Sequence, residues 1–100
     1  MKKSASTVMV EERKAKKFRD AILKAMDDYS KGSYRVECDK VERYYSAKVF
    51  TTNHIDPRRD EPLFEMGLCI NGQIMSVSGI IFPWLLRNIQ LSIYEDYKPY

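Results

Sequence analysis

The sequence predicts an α+β domain in which a four-stranded antiparallel sheet packs in two layers against an N-terminal and a C-terminal helix (α-β-β-β-β-α). Three observations support this fold class. Apolar residues recur at helical spacing near the start of the chain, Asn71-Gly72 joins two alternating stretches, and Pro83 opens a second helical pattern. The 100 residues, 44% hydrophobic and 31% charged, are typical of one globular domain spanning residues 1–100.

The first helix is expected from about Val8 to about Ser30, after a loose segment at residues 1–7. Ser6 or Thr7 can cap its N-terminus, and Gly32 is suited to follow its end. Its predicted core stripe is Phe18, Ile22, Ala25, Met26 and Tyr29. The opposite side alternates in charge at every fourth position, which predicts a solvated face with weak ion pairs: Glu12, Lys16, Asp20, Lys24 and Asp28.

Residues 34–51 predict a first hairpin with a four-residue turn from Asp39 to Glu42. This turn pairs Val36 with Tyr45, whereas a two-residue turn at Asp39-Lys40 sets Glu37 against Glu42 and costs stability. The outward face of this hairpin is then Arg35, Glu37, Tyr44, Ser46, Lys48 and Phe50.

Asn71-Gly72 predicts a second hairpin with a two-residue type I′ turn, which needs positive φ at both central residues. This turn pairs Leu68 with Met75 and Phe64 with Gly79. The apolar face of the whole sheet is then predicted to be Tyr34, Val36, Tyr45, Val49, Phe64, Met66, Leu68, Met75 and Val77.

Residues 52–62 contain two prolines and five charges, which predicts an irregular loop. Pro83 begins the last helix, which runs to about Tyr97 and ends before Pro99. Its core face is predicted to be Leu85, Leu86, Ile89, Ile93 and Tyr97, and a second apolar stripe of Trp84, Leu91 and Tyr94 lies opposite. This second stripe predicts a further contact, either with the first helix or with a second molecule, and we favour a homodimer interface.

Few residues of the chain point to chemistry. His54 is the only histidine and lies in a charged loop, so a solvated surface side chain is the simpler interpretation. The two cysteines, Cys38 and Cys69, match no zinc or redox spacing and are expected to be buried free thiols in a reducing, cytoplasmic compartment. We therefore expect no catalytic residues, no metal and no cofactor. A membrane partner is not expected either, because no apolar run approaches the roughly 18 residues needed to cross a bilayer and no secretory signal is recognised.

The positive charge is concentrated in one half of the chain. Residues 1–50 carry 13 Lys and Arg against 8 acids, and residues 51–100 carry 4 against 6. This distribution permits contact with nucleic acid without requiring it. The candidate residues are Arg13, Lys16 and Lys17 on the first helix, together with Arg35, Tyr44, Lys48 and Phe50 on the sheet, which combine charge with stacking surfaces. The same residues also suit a solvated helix face and a protein interface.

Two hypotheses about function follow from these patterns. The leading one is a small non-enzymatic binding protein, an inhibitor or adaptor that occludes a protein surface and fits the size of a phage or mobile-element accessory protein. Its partner-binding candidates are Trp84, Leu91, Tyr94, Arg58 and Arg59, because a guanidinium pair can grip a partner's carboxylates or phosphates. For Arg58-Arg59, solvated loop charge is the competing interpretation. The second hypothesis is a module that binds single-stranded nucleic acid.

Overall fold

A computed structural model describes residues 5–97 of the chain, and the side chains of residues 9–95. The predicted α-β-β-β-β-α order is confirmed, with all neighbouring strands antiparallel and in the spatial order β1-β2-β3-β4. The elements are α1 (Ala5–Ser30), β1 (Tyr34–Val41), β2 (Tyr44–Thr51), β3 (Phe64–Leu68), β4 (Ile74–Gly79) and α2 (Pro83–Tyr97). No element occupies residues 52–63, as their turn-forming composition predicts.

The core lies between the helices and one face of the sheet. The ring of Phe18 on α1 meets that of Tyr45 on β2 edge to face, with the centroids 5.1 Å apart. The prediction of the buried stripe on α1 is wrong only for Tyr29, because the side chain of Tyr29 is 44% exposed. The buried cluster comprises Ala15, Phe18, Ala21, Ile22, Ala25, Met26, Val36, Tyr45, Ala47, Val49, Phe64, Met66, Leu68, Leu85, Ile89 and Ile93.

Helix α1 begins earlier than its sequence pattern predicts. Its first residue is Ala5, so Ser6 and Thr7 lie inside the helix and neither is the N-cap. The other end agrees with the prediction, since Gly32 follows the helix with a φ of 76°. The N–H of Gly32 donates to the Asp27 carboxylate over 3.2 Å, which helps to fix this end of the helix.

The first hairpin turns at Glu42-Arg43 and not over residues 39–42. Strand β1 continues to Val41, which lies opposite Tyr44. Glu42 adopts the left-handed region with a φ of 52°, as a two-residue hairpin turn requires. The four-residue turn predicted from the sequence is therefore wrong.

The pairing between β1 and β2 is displaced by four residues from the predicted register. Val36 lies opposite Val49, where the prediction placed it opposite Tyr45. Side chains alternate between faces with a period of two, so a displacement by an even number leaves each residue on its predicted face. The repulsion that argued for the longer turn does not arise, because Glu37 lies opposite Lys48.

The second hairpin closes through three residues, Ile70, Asn71 and Gly72. The N–H of Gly72 donates to the carbonyl of Cys69 over 2.9 Å, and the N–H of Cys69 donates to the carbonyl of Gln73 over 2.8 Å. Gly72 has a φ of 90°, whereas Asn71 keeps a negative φ. This is the pattern of a type I turn followed by a glycine bulge, so the predicted type I′ turn is wrong.

A bulge at Met75 then returns β4 to the predicted register. Leu68 pairs with Ile74, but from Gly67 and Ser76 onward the pairing follows the prediction. Met75 is the extra residue, and its side chain is 57% exposed, so its predicted place on the buried face is wrong. Ile74 packs against the core in its stead.

Helix α2 begins at Pro83, as predicted, and presents Leu85, Ile89 and Ile93 to the core, with Leu86 half-buried. The carbonyl of Phe82 accepts the N–H groups of Leu85 and Leu86 over 3.0 and 3.1 Å, which completes the first turn. The side chain of Tyr97 and the residues after Tyr97 lie outside what the structure describes, so the burial of Tyr97 and the end of the helix before Pro99 stay predictions.

Two polar side chains attach α2 to the rest of the fold. The hydroxyl of Ser92 donates to the carbonyl of Ala21 on α1 over 2.7 Å, in a buried position. The amide of Gln90 spans the hairpin loop, where it donates to the carbonyl of Gly72 over 2.9 Å and accepts the N–H of Ile74 over 2.7 Å. These bonds satisfy polar groups in buried and part-buried positions, and they set the position of α2 along α1 and the second hairpin.

Candidate functional site

A cleft opens at the end of the domain where β3 begins and β4 ends. Its volume is about 460 Å³. One wall is the loop before β3, the other is the segment between β4 and α2, and the C-terminal part of α1 contributes to the floor. The lining residues are Met26, Tyr29, Tyr34, Asp56, Arg58, Glu61, Pro62, Leu63, Phe64, Gly79, Ile80, Ile81, Phe82 and Leu85. Most of them are apolar, as is usual for a binding cleft.

Local hydrogen bonds shape the loop that forms the first wall. A carboxylate oxygen of Asp56 accepts the N–H of Arg58 over 2.8 Å, an Asx turn of the kind that such loops use. At the loop's end, the N–H of Leu63 donates to the carbonyl of Val49 over 2.7 Å. The loop is therefore attached to the sheet where it meets the cleft.

The two adjacent arginines of this loop have different environments. Arg59 donates from its guanidinium to the carbonyl of His54 over 3.1 Å, so it bridges two parts of the loop. Arg58 lines the cleft, and within residues 5–97 its guanidinium makes no hydrogen bond or ion pair. Of the predicted arginine pair, Arg58 is thus the one available to a ligand in the cleft.

Aromatic side chains border the cleft on its helical side. The Trp84 ring lies 5.2 Å from that of Tyr29, edge to face, and 5.9 Å from that of Phe82, nearly parallel. Tyr29 in turn stacks on Tyr34 with the centroids 6.3 Å apart. Burial, and secondarily the neighbouring Tyr29, raises the pKa of the Tyr34 hydroxyl. These contacts hold the rings in a fixed arrangement beside the cleft.

Large apolar side chains stand out from the segment between β4 and α2. Ile80 is 92% exposed, the highest fraction among the exposed large apolar side chains of the described residues, and Phe82 is more than half exposed. Leu63 is also exposed on the opposite wall. We call Leu63, Ile80 and Phe82, together with Arg58, the cleft rim.

A separate groove of about 350 Å³ runs between the two helices. Its apolar side chains include Trp84 and Leu91, two of the three residues of the second apolar stripe predicted on α2. Tyr94, the third residue, is exposed but does not line this groove. Trp84 touches the end of α1 through Tyr29, and about half of its surface remains exposed.

The outer face of the first hairpin carries the residues that the sequence predicts there, but not as an open stacking surface. The guanidinium of Arg35 lies over the ring of Phe50, 4.4 Å from its centroid, and also bonds to Glu37 over 3.0 Å. Phe50 is only 6% exposed, so its ring is not available to stack on a base. Lys48 lies opposite Glu37. Tyr44 is six residues from Phe50 along β2, about 20 Å at roughly 3.4 Å per residue.

The predicted basic residues of α1 share their surface with acids. Arg13, Lys16 and Lys17 are exposed. Lys16 borders a hollow between α1 and β1 that is also lined by Glu11 and Glu12. These acids reduce the positive potential that phosphate binding needs.

The two thiols and the histidine do not line the cleft. Cys38 and Cys69 are both free, as expected, but each is only half-buried, so the predicted burial of the two thiols is wrong. Burial, together with the neighbouring Asp39, raises the pKa of the Cys38 thiol to about 12, although Arg19 acts in the opposite direction. Within residues 5–97, no three His, Cys, Asp or Glu side chains are grouped so that they could hold a metal ion.

Sequence reasoning found part of this site. It named Arg58 and Trp84, but it missed Ile80 and Phe82, because an apolar run before a helix gives no sign of which side chains will be left exposed. The exposed Ile80 follows Gly79, whose φ of 107° turns the chain away from the sheet. That glycine at the end of β4 was the available signal.

No family model, curated protein or solved structure matches this chain. Neither helix, over the residues described, has the length and apolar character that a bilayer-spanning segment needs.

Proposed function

We propose that the chain is a small non-enzymatic protein-binding domain, an inhibitor or adaptor that uses the cleft rim to cover a surface of its partner. The observation that carries this proposal is the exposure of Ile80 and Phe82 beside an apolar cleft. Exposed apolar groups clustered around a concavity are typical of interaction sites.

The energetics of the rim favour a protein as the ligand. Full burial of an Ile or Phe side chain contributes about 1.5–3 kcal/mol, so Ile80 and Phe82 can both act as anchors. Interfaces are also enriched in aromatic residues and arginine, and Arg58 offers at the same place a guanidinium that no other described residue engages. The loop and the aromatic contacts already hold this surface in shape, which reduces the entropy lost on binding.

The proposal includes no catalytic step. Its support is the composition of the cleft, in which the described lining residues include no histidine and no cysteine and the charged members are Asp56, Arg58 and Glu61. We also propose a reducing, cytoplasmic location, supported by the free state of Cys38 and Cys69.

Binding of single-stranded nucleic acid is the alternative function. It depends on the basic residues of α1 and on the outer sheet face, and the arrangement of Arg35 over Phe50 reduces its support. A gel-shift assay with single-stranded oligonucleotides at about 50 and 200 mM salt tests it, because phosphate contacts weaken steeply with salt. Binding that is strong at low salt and lost at high salt is the result that favours this alternative.

The protein-binding proposal is tested by photocrosslinking with a matched control. Ile80 and Ile55 are equally exposed, at 92% and 90%, but Ile55 does not line the cleft. A photoreactive phenylalanine is placed at each position in turn, and the full chain is irradiated in cells of its source organism, followed by nuclease treatment. We expect a protein adduct of one defined mass from position 80 and none from position 55.

The captured partner then serves in a direct binding measurement. We expect Ile80→Glu to weaken binding of the purified partner by about 10-fold to 100-fold, which corresponds to the loss of one buried apolar anchor. Ile55→Glu should leave the affinity unchanged. Equal adducts at both positions, or an adduct at position 80 that carries nucleotides in place of a protein, contradicts the proposal.

A further inference from the structure

The residues that line the groove between the helices form a nearly symmetric pattern, which reads almost the same from either end of the groove. Helix α2 presents Trp84, Asn88 and Leu91 to this groove, spaced over two helical turns. Helix α1 presents Lys24 and Asp28 to the same groove, one turn apart. Apolar side chains therefore lie at the two ends of a short stripe with an amide between them, beside a pair of opposite charges.

The contacts between the helices establish which residues lie level. The Lys24 ammonium is 4.0 Å from the carboxylate of Glu95, and the Tyr29 ring touches that of Trp84. Helices α1 and α2 are thus antiparallel. Asn88 stands between Trp84 and Glu95 on α2, and so it lies level with the interval between Lys24 and Asp28 on α1.

We propose that this helical face binds a second copy of the chain about a two-fold axis that passes Asn88 at right angles to both helices. About such an axis, α1 packs antiparallel against α1 of the partner subunit, and α2 packs antiparallel against α2 of the partner subunit. Trp84 then packs on Leu91 of the partner subunit, and Lys24 meets the partner's Asp28. Asn88 meets its own copy, and an amide can both donate and accept in such a pair. Each of these contacts except the central one occurs twice.

The charges favour a second copy over a partner of uniform charge. The charge alternation on α1 predicts ion pairs between successive turns, but within the described residues Asp28 makes no ion pair. Lys24 has only the long contact with Glu95 among these residues, and both side chains of that contact are more than half exposed. A uniformly acidic or basic surface meets repulsion from one of these two positions, whereas the reversed copy meets opposite charge at both.

This inference is independent of the partner proposed for the cleft rim, although Trp84 lies near both surfaces. The dimer is tested by sedimentation velocity of the full chain over a concentration series, up to about 500 μM, since typical specific associations lie well below that range. We expect a concentration-dependent shift from monomer to dimer. A chain that is monomeric throughout overturns the proposal.

The site of dimerisation is tested with matched variants. Leu91 and Ile70 have similar exposure, 52% and 56%, but Ile70 lies in the loop of the second hairpin and does not line the groove between the helices. We expect Leu91→Glu to raise the dimer dissociation constant about 30-fold or more, as for the loss of an interface anchor, and Ile70→Glu to leave it unchanged. Equal effects of the two variants place the interface elsewhere and overturn the proposal.

A charge exchange separates the interface from effects on the monomer. The variant Asp28→Lys sets two ammonium groups against each other at both ends of the dimer, because the new side chain faces the partner's Lys24, and this should weaken the dimer about tenfold. The double variant Lys24→Asp with Asp28→Lys restores opposite charges and should return the dissociation constant to within about threefold of the original. Failure of this rescue contradicts the two-fold arrangement. Ile80→Glu should leave the dimer intact, because Ile80 does not line this groove. The dimer proposal and the cleft-rim proposal can therefore fail independently of each other.

Discussion

Replacement of Gly72 by alanine should destabilise the fold strongly, because this glycine combines an unusual backbone with a closely packed site. Its φ is 90°, and a Cβ there would lie 2.6 Å from Cγ2 of Ile93 and 3.3 Å from Cε1 of Phe18. A positive φ costs an alanine about 1–2 kcal/mol, and insertion of a methyl group into a packed core costs about 1–3 kcal/mol. We expect the free energy of unfolding to fall by about 2–5 kcal/mol.

Gly32 provides the control that separates the two contributions. It also has a positive φ, 76°, but a Cβ there would have no atom within 4 Å. Gly32→Ala should therefore cost only the backbone contribution, about 1–2 kcal/mol. Urea unfolding of both variants, followed by circular dichroism and by fluorescence of the single tryptophan, gives the two free energies. If Gly72→Ala lowers the free energy of unfolding no more than Gly32→Ala does, the loop of the second hairpin is not closely packed against Phe18 and Ile93, and the packing argument is wrong.

Two further predictions concern a buried hydrogen bond and a half-buried thiol. Ser92→Ala removes the bond to the carbonyl of Ala21 and should lower the free energy of unfolding by about 1 kcal/mol in the same urea assay, since that carbonyl keeps its place in α1. In a Cys69→Ser variant, Cys38 should react at pH 8 about a thousandfold more slowly with iodoacetamide in the native chain than in the unfolded one, because its native pKa is about 12 and the thiolate is the reactive form. The raised pKa also means that folding favours the neutral thiol. The contribution of the Cys38 thiol to stability should be full below the ordinary thiol pKa and should be lost as the pH rises towards 12, which unfolding measurements at increasing pH can follow. Equal rates of reaction with iodoacetamide in the native and unfolded chains argue against burial of this thiol.

The fold could be predicted because each of its elements depends on a local pattern. The stripe around Phe18 and Ile22, the proline at position 83 and the alternation in the strands each involve near neighbours in the chain. The turns were less predictable. At Asn71-Gly72 the sequence favours a two-residue loop, but the structure has a three-residue loop and a bulge at Met75, with Gly72 packed against Ile93 and Phe18.

The candidate site was harder to predict because three distant segments form it. Residues 56–63, residues 79–82 and the end of α1 meet only once the sheet has brought β3 and β4 together. Likewise, the sequence suggested that the ring of Phe50 is free to stack. In the structure Arg35 lies opposite Phe50 on the neighbouring strand, and its guanidinium covers the ring. Exposure at such positions depends on tertiary contacts, which the spacing of residues along a strand does not record.

The attachment of α2 has a consequence for the order in which the domain forms during synthesis. Gln90 and Ser92 hold, respectively, the loop of the second hairpin and the middle of α1. A growing chain that has emerged only as far as Phe82 has all four strands but lacks these bonds and the side chains of Ile89 and Ile93 that complete the core. Helix α1 therefore gains its full set of contacts only after α2 has been made, and we expect the domain to fold in a single step that follows the synthesis of α2.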